Sequence, residues 1–289
     1  MTDHGSSLSR REPPGADTGA QASPDAPRHT DDWQRDATPL PLRIARFLPR
    51  AIIVAAMVLA GLVLVGVVYP FIGLRGRSML NRTWSRLLLR VCGVRLTVCG
   101  TPAMTGPVLT VANHVSWLDI FVINAVRPTA FIAKAEIRRW PIVGWLVAGA
   151  GTLFLERGHR HAVRAVGEAM RSRFARSEAV GLFPEGTTTM GFEPLPFHGS
   201  LLEPARDTGV AIQPVALRFL RHGRRDPYAA FVGEETLVGN LWRILGVRGL
   251  SVEAVYLPAL AVHGEDGAAH SRSGLAAMAR AAIHEAVST

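Results

Sequence analysis

The chain has 289 residues, 48% of them apolar, with a formal charge of +9 at neutral pH. That length suffices for one sizeable domain with appendages and falls short of two full domains. All 32 basic residues except Lys134 are arginines. No zinc-finger spacing, RRM signature or homeodomain pattern accompanies them, so nucleic acid is set aside and the charge points to an anionic lipid or substrate.

Residues 1–40 are rich in Pro, Gly, Ser, Asp and Arg and offer almost nothing apolar to bury, so a disordered N-terminal segment without chemistry is expected. The segment also places the first apolar run too far from Met1 for an ordinary cleaved signal peptide. That run, Ala51 to about Gly73, carries no charge and meets the ~20-residue requirement of a membrane helix. Arginines flank it on both sides (Arg43, Arg46 and Arg50; Arg75, Arg77, Arg82, Arg86 and Arg90), so charge does not orient it. It either spans the membrane or forms a helical hairpin dipping into one leaflet. In the hairpin, Asn81 to Val91 returns as an amphipathic helix with Trp84, Leu87, Leu88 and Leu89 toward lipid. Residues 41–93 are accordingly read as membrane-anchoring helices. Cys92 and Cys99 make neither a disulfide framework nor a metal site and read as small buried hydrophobes.

From Val94 short apolar strands alternate with helices. Strands are expected at VRLTVCG, PVLTVAN, TAFIAK, GTLFLER, AVGLFPEG, VAIQPVAL, YAAFVG and LSVEAVYL. Helices are expected at Trp117 to Val126, Ile137 to Ala148, His161 to Arg176, Ser200 to Asp207 and Gly274 to Val287. The alternation predicts an α/β fold, a mixed sheet flanked by helices, over residues 94–289. Pro214 inside its strand implies an edge, a bulge or a strand end.

Four segments could carry chemistry. In NHVSWLD, His114 and Asp119 follow a strand's carboxyl end, where α/β domains bind ligands. Five residues apart, they do not share a helix face. They meet only if His114 sits on the turn before the helix and Asp119 in its first turns. So paired, the imidazole can take a proton from an attacking hydroxyl while the carboxylate fixes its tautomer. Asp119 could instead close an S-x-x-D capping box with Ser116, and His198 to Glu203 repeats the same spacing. In GTLFLERG, Arg157 could hold a phosphate by paired hydrogen bonds, or be a surface arginine. In FPEGTTT, Glu185 could bind substrate hydroxyls and Gly186 could let backbone N–H groups approach an anion, or the segment is an ordinary turn. IQPV by itself says nothing of function.

In this order, NHVSWLD, GTLFLERG, FPEGTTT and IQPV resemble the blocks of the glycerolipid acyltransferase family, the 1-acylglycerol-3-phosphate O-acyltransferases and their kin, over roughly Pro107 to Leu217. Lys134 and Glu136 resemble the family's intervening segment. The resemblance implies a catalytic domain on the cytoplasmic face of the membrane, in a bacterium the inner membrane. His114 would be the general base and Asp119 its orienting acid, with Arg157, Glu185, Gly186, Thr187 and Lys134 binding the phosphorylated acceptor. It further implies acyl-CoA or acyl-ACP as co-substrate, a lysophospholipid as acceptor, the bilayer as partner, and neither a metal, a resident cofactor nor an acyl-enzyme. Many members carry arginine after F-P-E-G-T, where this chain has Thr188. Acceptors such as lyso-ornithine lipid therefore stand beside 1-acylglycerol-3-phosphate, and a catalytically silent lipid-binding protein is the reading from another class. His198 lies where relatives carry a basic residue and reads as a packing or interaction residue.

Overall fold

The computed structural model describes residues 37–289, except residues 157, 159, 265 and 266 and the side chain of residue 160. The disorder expected of residues 1–40 lies almost wholly outside that range, as does the placement of Arg157.

The apolar run folds as helix α1, Leu40–Val63, continuing through a π-helical turn, Leu64–Val68, and a 3-10 turn, Tyr69–Phe71. The whole span is long and apolar enough to cross a membrane, and little of it is buried. Ile52, Leu59, Val63, Val67 and Phe71 are exposed, an arrangement that suits lipid and not water. The chain reverses at Ile72 and Gly73 and returns as α2, Leu74–Val91. Gly61 permits the crossing: a Cβ there would meet Trp84 and Leu146 at 2.9 Å.

The lipid-facing assignment within α2 is corrected by the structure. Leu88 and Leu89 are buried in the core with Val122 and Ile123, Trp84 is half-buried, and only Leu87 is exposed. Two adjacent leucines point inward because α2 packs along α3, Leu118–Val126. The first turns of α1 are held by α7, Leu237–Gly246, an element not foreseen from the sequence. Phe47 meets Trp242 edge-on at 4.6 Å, and Arg50 donates to Leu245 O and Val247 O at 2.9 and 2.8 Å. Removing residues 1–73 is therefore expected to bare the α7 face as well as the membrane run. Size-exclusion chromatography of that truncation should show aggregate; a soluble, active monomer would overturn this account of α1.

The strands are β1 (Arg95–Gly100), β2 (Val108–Ala112), β3 (Thr129–Lys134), β4 (Leu153–Leu155), β5 (Ala179–Leu182), β6 (Ile212–Arg221), β7 (Arg224–Arg225) and β8 (Leu250–Tyr256). The sheet order is β1-β8-β6-β2-β5-β3-β4, with β7 beside β6. β6, β2, β5, β3 and β4 run parallel, β8 runs antiparallel to β6, and β1 is parallel to β8. The sheet is mixed, as the alternation predicts. Side chains of period two feed two cores. Leu109, Val111, Val180 and Leu182 face α5 (Arg160–Ala175), α6 (Glu203–Asp207) and α8 (Arg272–Ser288). Val215, Leu217, Val252 and Ala254 face α2, α3 and α7.

Four local expectations are revised. The single helix expected at Ile137 to Ala148 is broken at Trp140, Pro141 and Ile142 into a 3-10 turn, Ala135–Arg139, and α4, Val143–Gly149. Pro141 cannot continue the backbone ladder, and Ile142 adopts a φ of 65°. YAAFVG is no strand: Pro227 starts a 3-10 turn, Pro227–Ala229, capped by Asp226. Pro214 lies on an interior strand. Its missing donor falls where the β8 ladder ends, because pairing begins at Val215 while Pro214 O accepts from Leu257 N at 3.0 Å. Cys92 is buried, its thiol pushed up to about 12 by desolvation, whereas Cys99 on edge strand β1 is only half-buried.

Candidate active site

The carboxyl ends of β2, β5, β3 and β4 share one edge of the sheet. His114 follows β2, the Phe183–Thr187 turn follows β5, and Lys134 ends β3, so the topology gathers these segments. Asn113 locks the first of them: its side chain accepts from Leu217 N at 2.7 Å and donates to Leu217 O at 3.1 Å, tying the end of β2 to β6.

His114 sits on the turn before α3 and Asp119 in the helix's first turn, the one arrangement that lets them meet. His114 Nδ1 lies 2.8 Å from Asp119 Oδ2. The same oxygen accepts from Val115 N at 2.7 Å and Ser116 N at 3.0 Å. The capping reading and the catalytic reading thus describe one carboxylate, since Asp119 reaches back to Ser116 N–H as a capping-box acid does while also holding the imidazole. Asp119 is fully buried, and its Oδ1 makes no hydrogen bond. An oxygen already receiving two N–H groups acts as an acceptor, so the proton between the two side chains belongs to His114 Nδ1 and Nε2 is left with a free lone pair. The imidazole remains 21% exposed, enough to be reached. Its other face stacks on Phe183 at 4.1 Å between centroids, and Phe131 extends the stack at 5.2 Å.

Glu185, expected to bind substrate, is buried with both oxygens occupied. Oε1 accepts from His114 N at 2.7 Å and Oε2 from Leu195 N at 2.8 Å. It therefore braces the backbone that presents the base. Burial pushes its carboxyl above the usual glutamate range, against the opposing pull of the Leu195 and His114 N–H groups. A carboxyl raised on folding favours the folded state below about pH 4.5, and that contribution is lost as pH rises through the higher folded value. Glu185→Gln, which cannot ionise, should remove this dependence. Thermal unfolding should show wild type gaining stability relative to the variant as pH falls from neutral toward about 4.5; a constant gap would contradict it.

Gly186 adopts a φ of 70°, a conformation that suits glycine, and its N–H bonds Phe183 O at 3.1 Å. Thr187 is exposed at the tip of this turn and Lys134 is exposed at the end of β3. Thr188 points inward, its hydroxyl donating to Phe231 O. His198 is exposed, and its backbone N–H bonds Pro184 O. It supports the turn and stands in no pair with Glu203, which bonds Arg206 and Arg272.

A second support was missed from the sequence. Phe231 N donates to Val115 O at 2.9 Å, and Trp117 Nε1 donates to Asn240 Oδ1 at 2.8 Å. Asn240 in turn bonds Ala230 O and Glu235, as does Arg243. The available signal was a polar residue inside the apolar run LVGNLWRIL, with Thr236 before it as cap.

An imidazole held by a buried carboxylate, with Nε2 open at the carboxyl edge of a sheet, is the arrangement that general-base chemistry requires. The chain belongs to the acyltransferase family, whose sequence model matches residues 95–218. A lyso-ornithine lipid O-acyltransferase of Pseudomonas aeruginosa is 40% identical over 212 residues, which cover 73% of this chain and 79% of that protein. A 1-acyl-sn-glycerol-3-phosphate acyltransferase of Neisseria gonorrhoeae is 40% identical over 163 residues, covering 55% and 63% respectively. The fold matches the crystal structure of the 1-acyl-sn-glycerophosphate acyltransferase of Thermotoga maritima with a TM-score of 0.61, at 22% identity, covering 85% of this chain and 96% of that one.

Proposed function

We propose that the protein transfers a fatty acyl group from the thioester of acyl-CoA or acyl-ACP to the free hydroxyl of a lysolipid at the cytoplasmic surface of a bacterial inner membrane. The acceptor is 1-acylglycerol-3-phosphate and the product phosphatidic acid. The observation that carries this reading is the 2.8 Å contact between His114 Nδ1 and Asp119 Oδ2. His114 Nε2 takes the hydroxyl proton as the oxygen attacks the thioester carbon. The tetrahedral intermediate collapses, the C–S bond breaks, and the departing thiolate receives the proton from the imidazolium, whose charge Asp119 balances. Purified full-length protein in mixed micelles, given labelled acyl-CoA and a panel of lysolipids, should form phosphatidic acid. Turnover of no lysolipid with either donor would sink the reading and leave a lipid-binding protein.

Lyso-ornithine lipid is the second acceptor, favoured by Thr188. Many family members have a cation at this position; here there is a hydroxyl bonded to Phe231 O. The long alignment with the Pseudomonas aeruginosa lyso-ornithine lipid O-acyltransferase points the same way. In either case Lys134, Arg157, Gly186 and Thr187 would bind the acceptor. Arg157→Ala should raise KM for a phosphate-bearing acceptor and leave kcat nearly unchanged, with Arg157→Lys between, since lysine keeps the charge and loses the bidentate fork. Thr188→Arg should shift the kcat/KM ratio toward lysophosphatidate by about tenfold, the value of one charge-assisted bond. A fall in kcat with KM untouched in Arg157→Ala would move that residue into the chemical step.

A further inference from the structure

Where α2 lies on α3 and edge strand β1, the surface folds into a groove of about 550 Å³. Arg82, Arg86 and Arg90 line it from α2 and Arg95 from β1; Val98 and Met104, 43% and 46% exposed, are among its apolar walls. Met104 follows β1, and Ala125 and Val126 precede β3. Those segments stand toward the edge of the sheet opposite the one that carries His114, Arg95 lies on a strand separated from β2 by β8 and β6, and the groove shares no lining residue with the His114 site.

Arginines four apart lie on one helix face, and like charges at that spacing destabilise a helix. Among the described residues no carboxylate pairs with any of these four. Among the described residues, Arg82 and Arg86 direct only Nε at the protein, both to Ala125 O near the end of α3, at 3.4 and 2.8 Å. That carbonyl fixes the two forks and leaves their Nη groups available. Burial is the main cause that draws Arg86 below the ordinary arginine value, and the charges of Arg82 and Arg90 add to it. An anion would relieve the repulsion, and the apolar walls beside the cations suit one that carries hydrocarbon. α2 is also the helix that leads directly out of the apolar span.

We propose that this groove binds the phosphate headgroup of one anionic phospholipid, its glycerol and first methylenes lying against Val98 and Met104. The site is one of recognition and is separate from acyl transfer.

The test uses the full chain in neutral detergent, titrated with short-chain phosphatidylglycerol, phosphatidylcholine or inorganic phosphate and followed by native mass spectrometry. One phosphatidylglycerol should bind saturably, at least tenfold more tightly than phosphatidylcholine. Arg90→Gln and Arg95→Gln, which disturb none of the bonds to Ala125 O, should each weaken it roughly fivefold. Met104→Glu, which puts a carboxylate in the groove and leaves the arginines in place, should weaken it at least as much. Rising salt should reduce affinity. His114→Ala should bind normally, so failure of the proposed reaction and failure of this site are separately visible. Equal binding of phosphatidylcholine, or unchanged binding in Arg90→Gln and Met104→Glu, would overturn the proposal. Inorganic phosphate binding as tightly as the lipid would reduce the groove to a plain anion site and overturn it too.

Discussion

Replacing His114 by alanine should lower turnover by about 100- to 10,000-fold, the usual share of a general base. The variant should still fold, because the imidazole is partly exposed and its neighbours are held by other groups: Asn113 by Leu217, Val115 O by Phe231 N and the His114 backbone by Glu185. The measurement is initial rate on the lysolipid panel beside thermal unfolding. His198→Ala serves as the comparison, because that residue is exposed, pairs with no acid among the described residues, and should retain most activity. Equal losses in the two variants would mean that the wrong histidine has been assigned.

Asp119→Asn should be nearly as damaging, by on the order of 100-fold or more, for a different reason. The amide oxygen can still accept from Val115 N, Ser116 N and the Nδ1 proton, so the turn survives. It carries no charge, so the imidazolium formed in the transition state is left uncompensated in a buried setting. The new NH2 group occupies the place of Oδ1, which has no hydrogen-bond partner, and burying that donor should cost about 1–3 kcal/mol of stability. Adding the substitution to His114→Ala should then lower activity little further, because groups acting as one unit are not additive. A double variant that multiplies the two losses would show Asp119 acting apart from the base.

The meeting of His114 with Asp119 and the sheet edge that holds them were legible because chemistry and position coincide in a few consecutive residues. NHVSWLD follows a strand and opens a helix, and the spacing admits one geometry. The role of Glu185 was not legible. A carboxylate in a Pro-Glu-Gly turn reads the same whether it faces solvent or folds under to take His114 N and Leu195 N, and only the tertiary path of residues 183–198 decides. Leu88 and Leu89 were assigned to lipid on amphipathicity alone, which reports an apolar face without naming what covers it; α3 does. The 230–243 buttress was hidden because its bonds join residues more than 100 positions apart, Trp117 to Asn240 and Val115 to Phe231.

Helix α1 has two clients. Toward its start, Arg43 lies over Trp242 at 5.1 Å, Phe47 meets the same ring, and Arg50 closes the carbonyls at the end of α7, the helix whose Asn240 steadies Trp117. Further along, Leu59 and Val63, with Val67 in the turn beyond, are mostly exposed. The first group is constrained by partners of fixed geometry and the second only by apolarity. One helix should therefore change at two tempos as sequences diverge. The exposed positions of its outer half can exchange freely among Leu, Ile and Val, while Met57 and Gly61 on the inward side stay tied to the core and to Trp84 and Leu146; Arg43, Phe47 and Arg50 change only together with Trp242 and the end of α7. A foreign membrane helix grafted in its place would satisfy the bilayer and leave α7 without its neighbour.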